Sequence, residues 1–394
     1  MTRLFGDHFL HVLTGDEQAL VSRVRELCAS RIGPGAAAVG SEDVFARDTF
    51  RMLADAGIVA TAFPVEYGGS DARQLVRIRL IEELGRVCSA AASMITGTDL
   101  AGRAIVAGAS PELRQALLPG LARGEIQSAF GLTEPGAGSD VRGLQTTMER
   151  SGDGYVVNGE KKFITRAGVA DWLVIVGRAA HDEARFVAVL VPRDTPGMTI
   201  GPTTGKLGWY GVPISPITLE NVKVPAEYRL GEEGDGFALA QDALVRARIG
   251  HASMALGRAI GAVEIAAAYA GDRSVFGKPL GAHQGLQWIF ADMATEIEAS
   301  RLLAWKAAVQ LDNGERNTLV SSHAKRFAAD TAMRVATDAV QVYGGYGFIK
   351  EYPVEKLMRD AKIMQLYEGT AQIQRLVIAR ETLLPRPADA PVAA

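Results

Sequence analysis

The sequence predicts an α+β multidomain protein: an N-terminal all-α domain, a middle antiparallel β-barrel or sandwich domain, and a C-terminal four-helix bundle. Three observations carry this expectation. Apolar residues recur at helical spacing in the first third and again after about residue 236. Between them lie short β-branched runs bounded by Gly, Pro and Asp. At 394 residues the chain also exceeds what one ordinary core organises.

The N-terminal domain is placed at 1–125. From Asp16, Leu20, Val24, Leu27 and Cys28 share a helix face, as do Phe50, Leu53 and Ala54. Leu75, Ile78, Ile81 and Leu84 continue the pattern, followed by an Ala- and Gly-rich helix from Ala90 to Ala109. Its small residues are expected to line a pocket. Phe63 to Gly69 holds a Pro and paired Gly and reads as a loop.

The middle domain is placed at 126–235. Tyr155-Val156-Val157-Asn158-Gly159 and Lys162 to Thr165 read as a hairpin turning at Asn158-Gly159. Trp172 to Val176, Phe186 to Val191 and Ile217 to Leu219 are further short strands. No helices alternate with them, which excludes a doubly wound sheet. The bundle is placed at 236–385, with long segments over 236–271, 283–312, 318–343 and 354–382. A Pro-rich tail over 386–394 is expected to be disordered.

Composition narrows the function. With 42 Lys and Arg against 45 Asp and Glu the net charge is −3, and no basic block exists. That argues against nucleic acid or an anionic membrane as partner. Cys28 and Cys88 lack metal or redox spacing and are expected to be buried in a reduced, cytoplasmic protein. No metal site is expected. No apolar run is long enough to span a membrane, and the first residues do not form a secretory signal.

Four stretches carry chemistry. Tyr367-Glu368-Gly369-Thr370 breaks two apolar-periodic segments, so the Glu368 carboxylate and Gly369 N–H fall on a turn. Leu366 and Tyr367 should raise the pKa of that carboxyl and suit it to removing a carbon-bound proton. Phe130 to Asp140 contains a Gly-x-Gly core with Thr133 and Ser139 hydroxyls, and no strand-to-helix unit makes it a dinucleotide fingerprint. Arg273 to Gln284 includes Phe276 and reads as a diphosphate or adenine contact, or as an ordinary helix stop. Gln341 to Phe348 is a glycine-dense helix end.

Together these stretches resemble the acyl-CoA dehydrogenases, over nearly the whole chain from Asp16 to Arg380. The most specific matches are Leu132-Thr133-Glu134-Pro135-Gly136-Ala137-Gly138-Ser139-Asp140, the Arg273, Phe276, Gly277, Leu280, Gln284 series, and Glu351 to Asp360 leading into Tyr367-Glu368-Gly369-Thr370. The resemblance implies FAD. It places Phe130, Leu132, Thr133 and Ser139 beneath the flavin and its ribityl chain, with Phe163 and Thr165 against the ring. Arg273, Phe276, Gln284, Gln341 and Gly345 would hold the ADP half, partly from a neighbouring subunit. Thr370 and Gln372 would add further FAD contacts. It implies Glu368 as the catalytic base, Gly369 N–H as a donor to the thioester carbonyl, and Ser139, Arg248 and Tyr367 as substrate contacts. The implied reaction takes the α-proton to Glu368 and the β-hydrogen as hydride to the flavin, giving a trans-2-enoyl thioester.

Family members that carry the base on the first bundle helix have it where this chain has Ala247, ahead of Arg248, so Glu368 has no competitor. Departures bear on the substrate. Val245 stands where the family often has Asp, Phe163 replaces a Trp, and Arg166 replaces an Asn. Arg166 would add positive charge at the flavin or thioester mouth. These changes admit delivery of the acyl group on a carrier protein in place of CoA. The acyl group is expected to be short or branched. An electron-transfer flavoprotein is the implied acceptor and a homotetramer, a dimer of dimers, the implied assembly. The alternatives are an oxygen-using acyl-thioester oxidase, a specialised-metabolite acyl-carrier-protein dehydrogenase acting at another position of the chain, and a non-catalytic FAD-binding protein.

Overall fold

The computed structural model describes residues 10–39 and 43–384; the tail over 386–394 lies outside the described residues. Its first part is helical: α1 (Gly15–Leu27), α2 (Gly33–Val39), α3 (Arg47–Asp55), α4 (Gln74–Val87), α5 (Ser89–Gly108) and α6 (Pro111–Ala122). The start of α1 is a capping box in which Thr14 and Glu17 exchange backbone and side-chain bonds. Ser110 caps α6, with Pro111 in its first turn. Cys28 and Cys88 are both buried and unbridged.

The middle part contains β1 (Ser128–Gly131), β2 (Thr147–Ser151), β3 (Gly154–Thr165), β4 (Trp172–Ala179), β5 (Asp182–Pro192), β6 (Met198–Ile200), β7 (Ile214–Val224) and β8 (Arg229–Leu230). They form one sheet in the order β6-β7-β3-β2-β4-β5-β8, with β1 also on β4. Most pairs are antiparallel, but β1 and β2 both run parallel to β4. The apolar runs of β4 and β5 bury both faces. Val174, Val176, Ala188 and Leu190 face the helices, whereas Leu173, Ile175, Val187 and Val189 fill a separate sheet core. A strand covered on both sides needs no polar alternation.

The hairpin expected at Asn158-Gly159 is not there. β3 runs unbroken through both residues, and the chain reverses earlier, at Gly152, where φ is +61°. Asn158 accepts a bond from Asn221 N at 2.7 Å beside an irregularity in the β3–β7 pairing. Gly159 is required for space, because a Cβ would lie 2.5 Å from Thr146 Oγ1. The Asn-Gly pair therefore marks a bulge, which shares the turn's need for a residue without a side chain.

The C-terminal part comprises α7 (Gly236–Asp272), the short hairpin β9 (Ser274–Val275) and β10 (Lys278–Pro279), α8 (Gln284–Asp312), α9 (Thr318–Tyr343), α10 (Val354–Lys362) and α11 (Ala371–Leu383). The segment expected over 354–382 is thus two helices separated by the turn that holds Glu368. α7 packs on α9, α8 and also α4, so the two helical parts share one core. Small residues allow this close approach: a Cβ on Gly257 would collide with the backbone of α4.

Candidate active site

A cavity of about 960 Å³ opens where the sheet, α5, α7 and the α10–α11 turn converge. This is large for a small-molecule pocket and suits a cofactor with part of a substrate. Its walls include Phe130, Leu132, Thr133, Ser139, Phe163, Thr165, Arg248, Tyr367, Glu368, Gly369 and Thr370. All of these were picked out from the sequence. Gly97 and Leu100 of α5 and Leu244 and Val245 of α7 join them. The remaining small residues of α5, such as Ala90, Ala91 and Ala92, are in the helical core.

Glu368 sits at φ +56° and Gly369 at φ +85°, two successive left-handed residues. The strain of a non-glycine residue there costs about 1–2 kcal/mol. Surrounding bonds hold it. Gln374 on α11 is fully buried and donates to the carbonyls of both Glu368 and Gly369, at 3.2 Å each. Lys325 on α9 donates to the Gly369 carbonyl at 2.8 Å. Thr370 then caps α11 through Ile373 N at 3.1 Å. Both Lys325 and Gln374 escaped the sequence reading, since each sits on an ordinary helical face.

Burial pushes the Glu368 carboxyl up to about 7, against the opposing pull of Lys325 and Arg248. Its Oε2 is shielded and has no hydrogen-bond partner. The apolar flank is Tyr367 alone: Leu366 is 50% exposed and does not enclose the carboxyl as expected. Tyr367 packs edge-on against Trp209 and His251, with centroids 5.2 and 4.5 Å away. Trp209 is left-handed at φ +59° and its backbone N–H donates to Asp360 Oδ1. His251 is kept neutral, its pKa pushed down to about 3 by burial.

On the opposite wall, the loop after β1 is braced from behind. Lys161 Nζ reaches Glu134 Oε1 at 2.6 Å, Val176 O at 2.6 Å and Leu132 O at 3.2 Å. Glu134 also accepts from Gln145 N and Thr146 N. Glu134, part of the quoted motif, is therefore a buried anchor that leaves Thr133 on the cavity wall. Phe163 is left-handed at φ +59° and 53% exposed, turning a flat apolar ring into the opening. Two threonine hydroxyls, Phe163 and the open glycine Gly138, where a Cβ would meet nothing, fit a flat ring with a polar chain.

Arg166 does line the cavity, as a buried wall residue and not as an exposed charge at its mouth. It is 1% exposed, left-handed at φ +62°, and donates to Thr98 Oγ1 and Ser128 O at 3.3 Å each. Burial draws its pKa down to about 10, so it stays charged, with Asp99 supporting that charge. Its guanidinium is accommodated by Gly97, where a Cβ would lie 2.7 Å from Nη2.

Arg273, Phe276, Gln284, Gln341 and Gly345 do not line the cavity. Arg273 ends α7, 25 residues beyond Arg248, which is roughly 37 Å along the helix. There it lies over the Tyr346 ring at 5.6 Å, and Phe276 is almost fully exposed. Gln372 is exposed on α11 and also stands off the cavity.

The fold and cavity define an oxidoreductase of the flavoprotein class built from helix, sheet and helix. The chain matches the acyl-CoA dehydrogenase N-terminal domain over 14–125, the middle domain over 129–222 and the C-terminal domain over 234–383. It belongs to the acyl-CoA dehydrogenase family. It is 41% identical over 383 residues to cyclohex-1-ene-1-carbonyl-CoA dehydrogenase of Syntrophus aciditrophicus, covering 95% of this chain and 92% of the relative. The solved butyryl-CoA dehydrogenase of Megasphaera elsdenii superposes with TM-score 0.90 at 36% identity, covering 94% of this chain and 99% of that one. The prolyl acyl carrier protein oxidase AnaB does so with TM-score 0.90 at 26% identity, covering 94% and 100%. The family is FAD-dependent and acts on CH–CH bonds, as does this enzyme. Among the described residues no helix is long and apolar enough to cross a membrane.

Proposed function

We propose that the enzyme dehydrogenates an acyl thioester between its α and β carbons, with Glu368 as the base. The observation that carries this reading is the Glu368 carboxyl: buried, without a hydrogen-bond partner on Oε2, and raised to about 7 while facing the cavity. A base with that pKa is deprotonated in useful amount near neutral pH and still basic enough to take a carbon-bound proton. The Gly369 N–H has no backbone acceptor among the described residues and lines the same cavity. It serves as a donor to the thioester carbonyl, where negative charge develops as the α-proton leaves. Thr133, Thr165, Phe130, Leu132, Phe163, Ser139 and Thr370 hold FAD opposite the base. Bound FAD supplies the acceptor for the β-hydrogen and two electrons. Tyr367 and Arg248 position the thioester end and keep water from the carboxylate.

CoA is the carrier this reading favours. Burial of Arg166 removes one of the three departures that suggested a carrier protein, and Val245 lines the cavity instead of an outer rim. Arg273, Phe276, Gln284, Gln341 and Gly345 serve the FAD of a second copy in a homotetramer, because they stand too far from this chain's own cavity. Electrons leave to an electron-transfer flavoprotein. Anaerobic bleaching of the flavin by one short acyl group, presented as its CoA thioester and on a carrier protein, tests the assignment. Bleaching by the CoA form is expected. Bleaching by the carrier form alone would move the enzyme to a carrier-protein pathway, and steady oxygen consumption would make it an oxidase.

A further inference from the structure

We propose that Lys325 is a positioning residue for the reaction, fixing the left-handed Glu368–Gly369 turn and supplying the counter-charge that keeps Glu368 ionised. The inference rests on Glu368 as the base. Lys325 sits mid-helix on α9, 1% exposed, with its ammonium turned towards the cavity turn. A lysine is rarely buried this far without a partner. Its partner here is a backbone carbonyl: Nζ donates to Gly369 O at 2.8 Å. The same ammonium lies 5.9 Å from the centroid of the Tyr367 ring. It therefore grips the turn on the residue after the base and lies against the ring of the residue before it.

The charges around the turn explain why this ammonium matters. From α7 come Arg248, whose Nε has no partner, and His251, which is neutral. From α9 come Lys325 itself and Asp330; from the turn, Tyr367 and Glu368. Neither cation forms a direct ion pair with Glu368, so the carboxylate stays free for substrate while two positive charges offset its burial. Burial lowers the Lys325 pKa to about 8, and the Glu368 carboxylate opposes that shift, which leaves the lysine mostly protonated at pH 7. Gln374 donates to the same Gly369 carbonyl and also to that of Glu368, but carries no charge. Anchoring alone could rest on Gln374; the ionised state of the base needs Lys325.

The test uses the FAD-loaded enzyme carrying Lys325→Met or Lys325→Gln. Glutamine retains an amide donor near Gly369 but no charge, which separates the two roles and gives a milder change should Lys325→Met fail to retain FAD. Infrared titration of the Glu368 carboxyl band, identified by its loss in Glu368→Gln, reads the protonation state without turnover. Removing a cation raises a nearby carboxyl pKa, so the midpoint is expected to move up by about one unit in both variants. The rising limb of kcat/KM should move to higher pH by the same amount, with kcat at pH 7 down about fivefold and KM little changed. Lys325→Arg should restore the midpoint. An unchanged midpoint in whichever neutral variant folds would overturn the proposal. The infrared result is independent of whether Glu368 is the base: an active Glu368→Gln enzyme would sink the functional reading while leaving the Lys325–Glu368 coupling measurable.

Discussion

The side chain of Gln374 occupies the space a Cβ on Gly369 would need, and from there it bonds the carbonyls of both Gly369 and Glu368. Gly369 is thus demanded twice, by its φ of +85° and by the amide packed against it. The proposed base owes its orientation to a residue six positions further on.

Gly369→Ala should therefore disturb the turn before it disturbs the fold. The substitution is expected to destabilise the protein by about 1–3 kcal/mol and to lower kcat by about a hundredfold. FAD content, the thermal midpoint and steady-state kinetics measure the three consequences.

Glu368→Gln is expected to stabilise the protein at alkaline pH. The folded-state pKa of about 7 lies above the ordinary 4.5, so the native state holds the extra proton between those values. The associated stability is fully present below pH 4.5 and is lost as pH rises through 7. The loss amounts to about 3 kcal/mol once Glu368 is ionised. A neutral amide avoids it, so thermal midpoints of variant and wild type should separate as pH rises from 4.5 to 7, stay apart above pH 7 and converge below pH 4.5.

The Lys161–Glu134 pair should behave as a buried anchor of the flavin loop. Lys161→Met leaves Glu134 buried without its cation, a change that costs about 3–5 kcal/mol. The double variant Lys161→Met with Glu134→Gln should recover part of that loss. Denaturant midpoints for the two single variants and the double variant give the coupling, and weakened FAD retention should follow the same order.

Gly97→Ala should push on the Arg166 guanidinium, which among the described residues has Thr98 and Ser128 as hydrogen-bond partners. Overpacking of this kind costs about 1–3 kcal/mol. Because Gly97 lines the cavity wall and its Cβ would meet Arg166, KM should rise more than kcat falls. Adding Arg166→Asn should restore the stability, which a melting curve of the double variant would reveal.

Much of this was legible in the sequence for a physical reason. Glu368 and Gly369 interrupt a helical period, and a break in period is visible without coordinates. Thr133 and Phe163 lie in motifs whose glycines or flanking strands announce them. Lys325, Gln374 and Trp209 were not legible, because each acts through a contact between elements distant in the chain. Asn158-Gly159 misled because a bulge and a tight turn ask for the same residues. Arg166 misled because its charge suggested the surface, whereas Gly97 makes room for it inside. The parallel pairings of β1 and β2 with β4 depend on tertiary docking that strand pattern alone does not encode.

Anaerobic flavin reduction by a saturating acyl-CoA, followed in wild type and Glu368→Gln at equal FAD content, tests the central claim most directly. The account predicts rapid bleaching in the wild type and a rate at least a thousandfold lower in the variant, in keeping with loss of the general base. Bleaching of the variant at the wild-type rate would contradict it and remove Glu368 from the reaction.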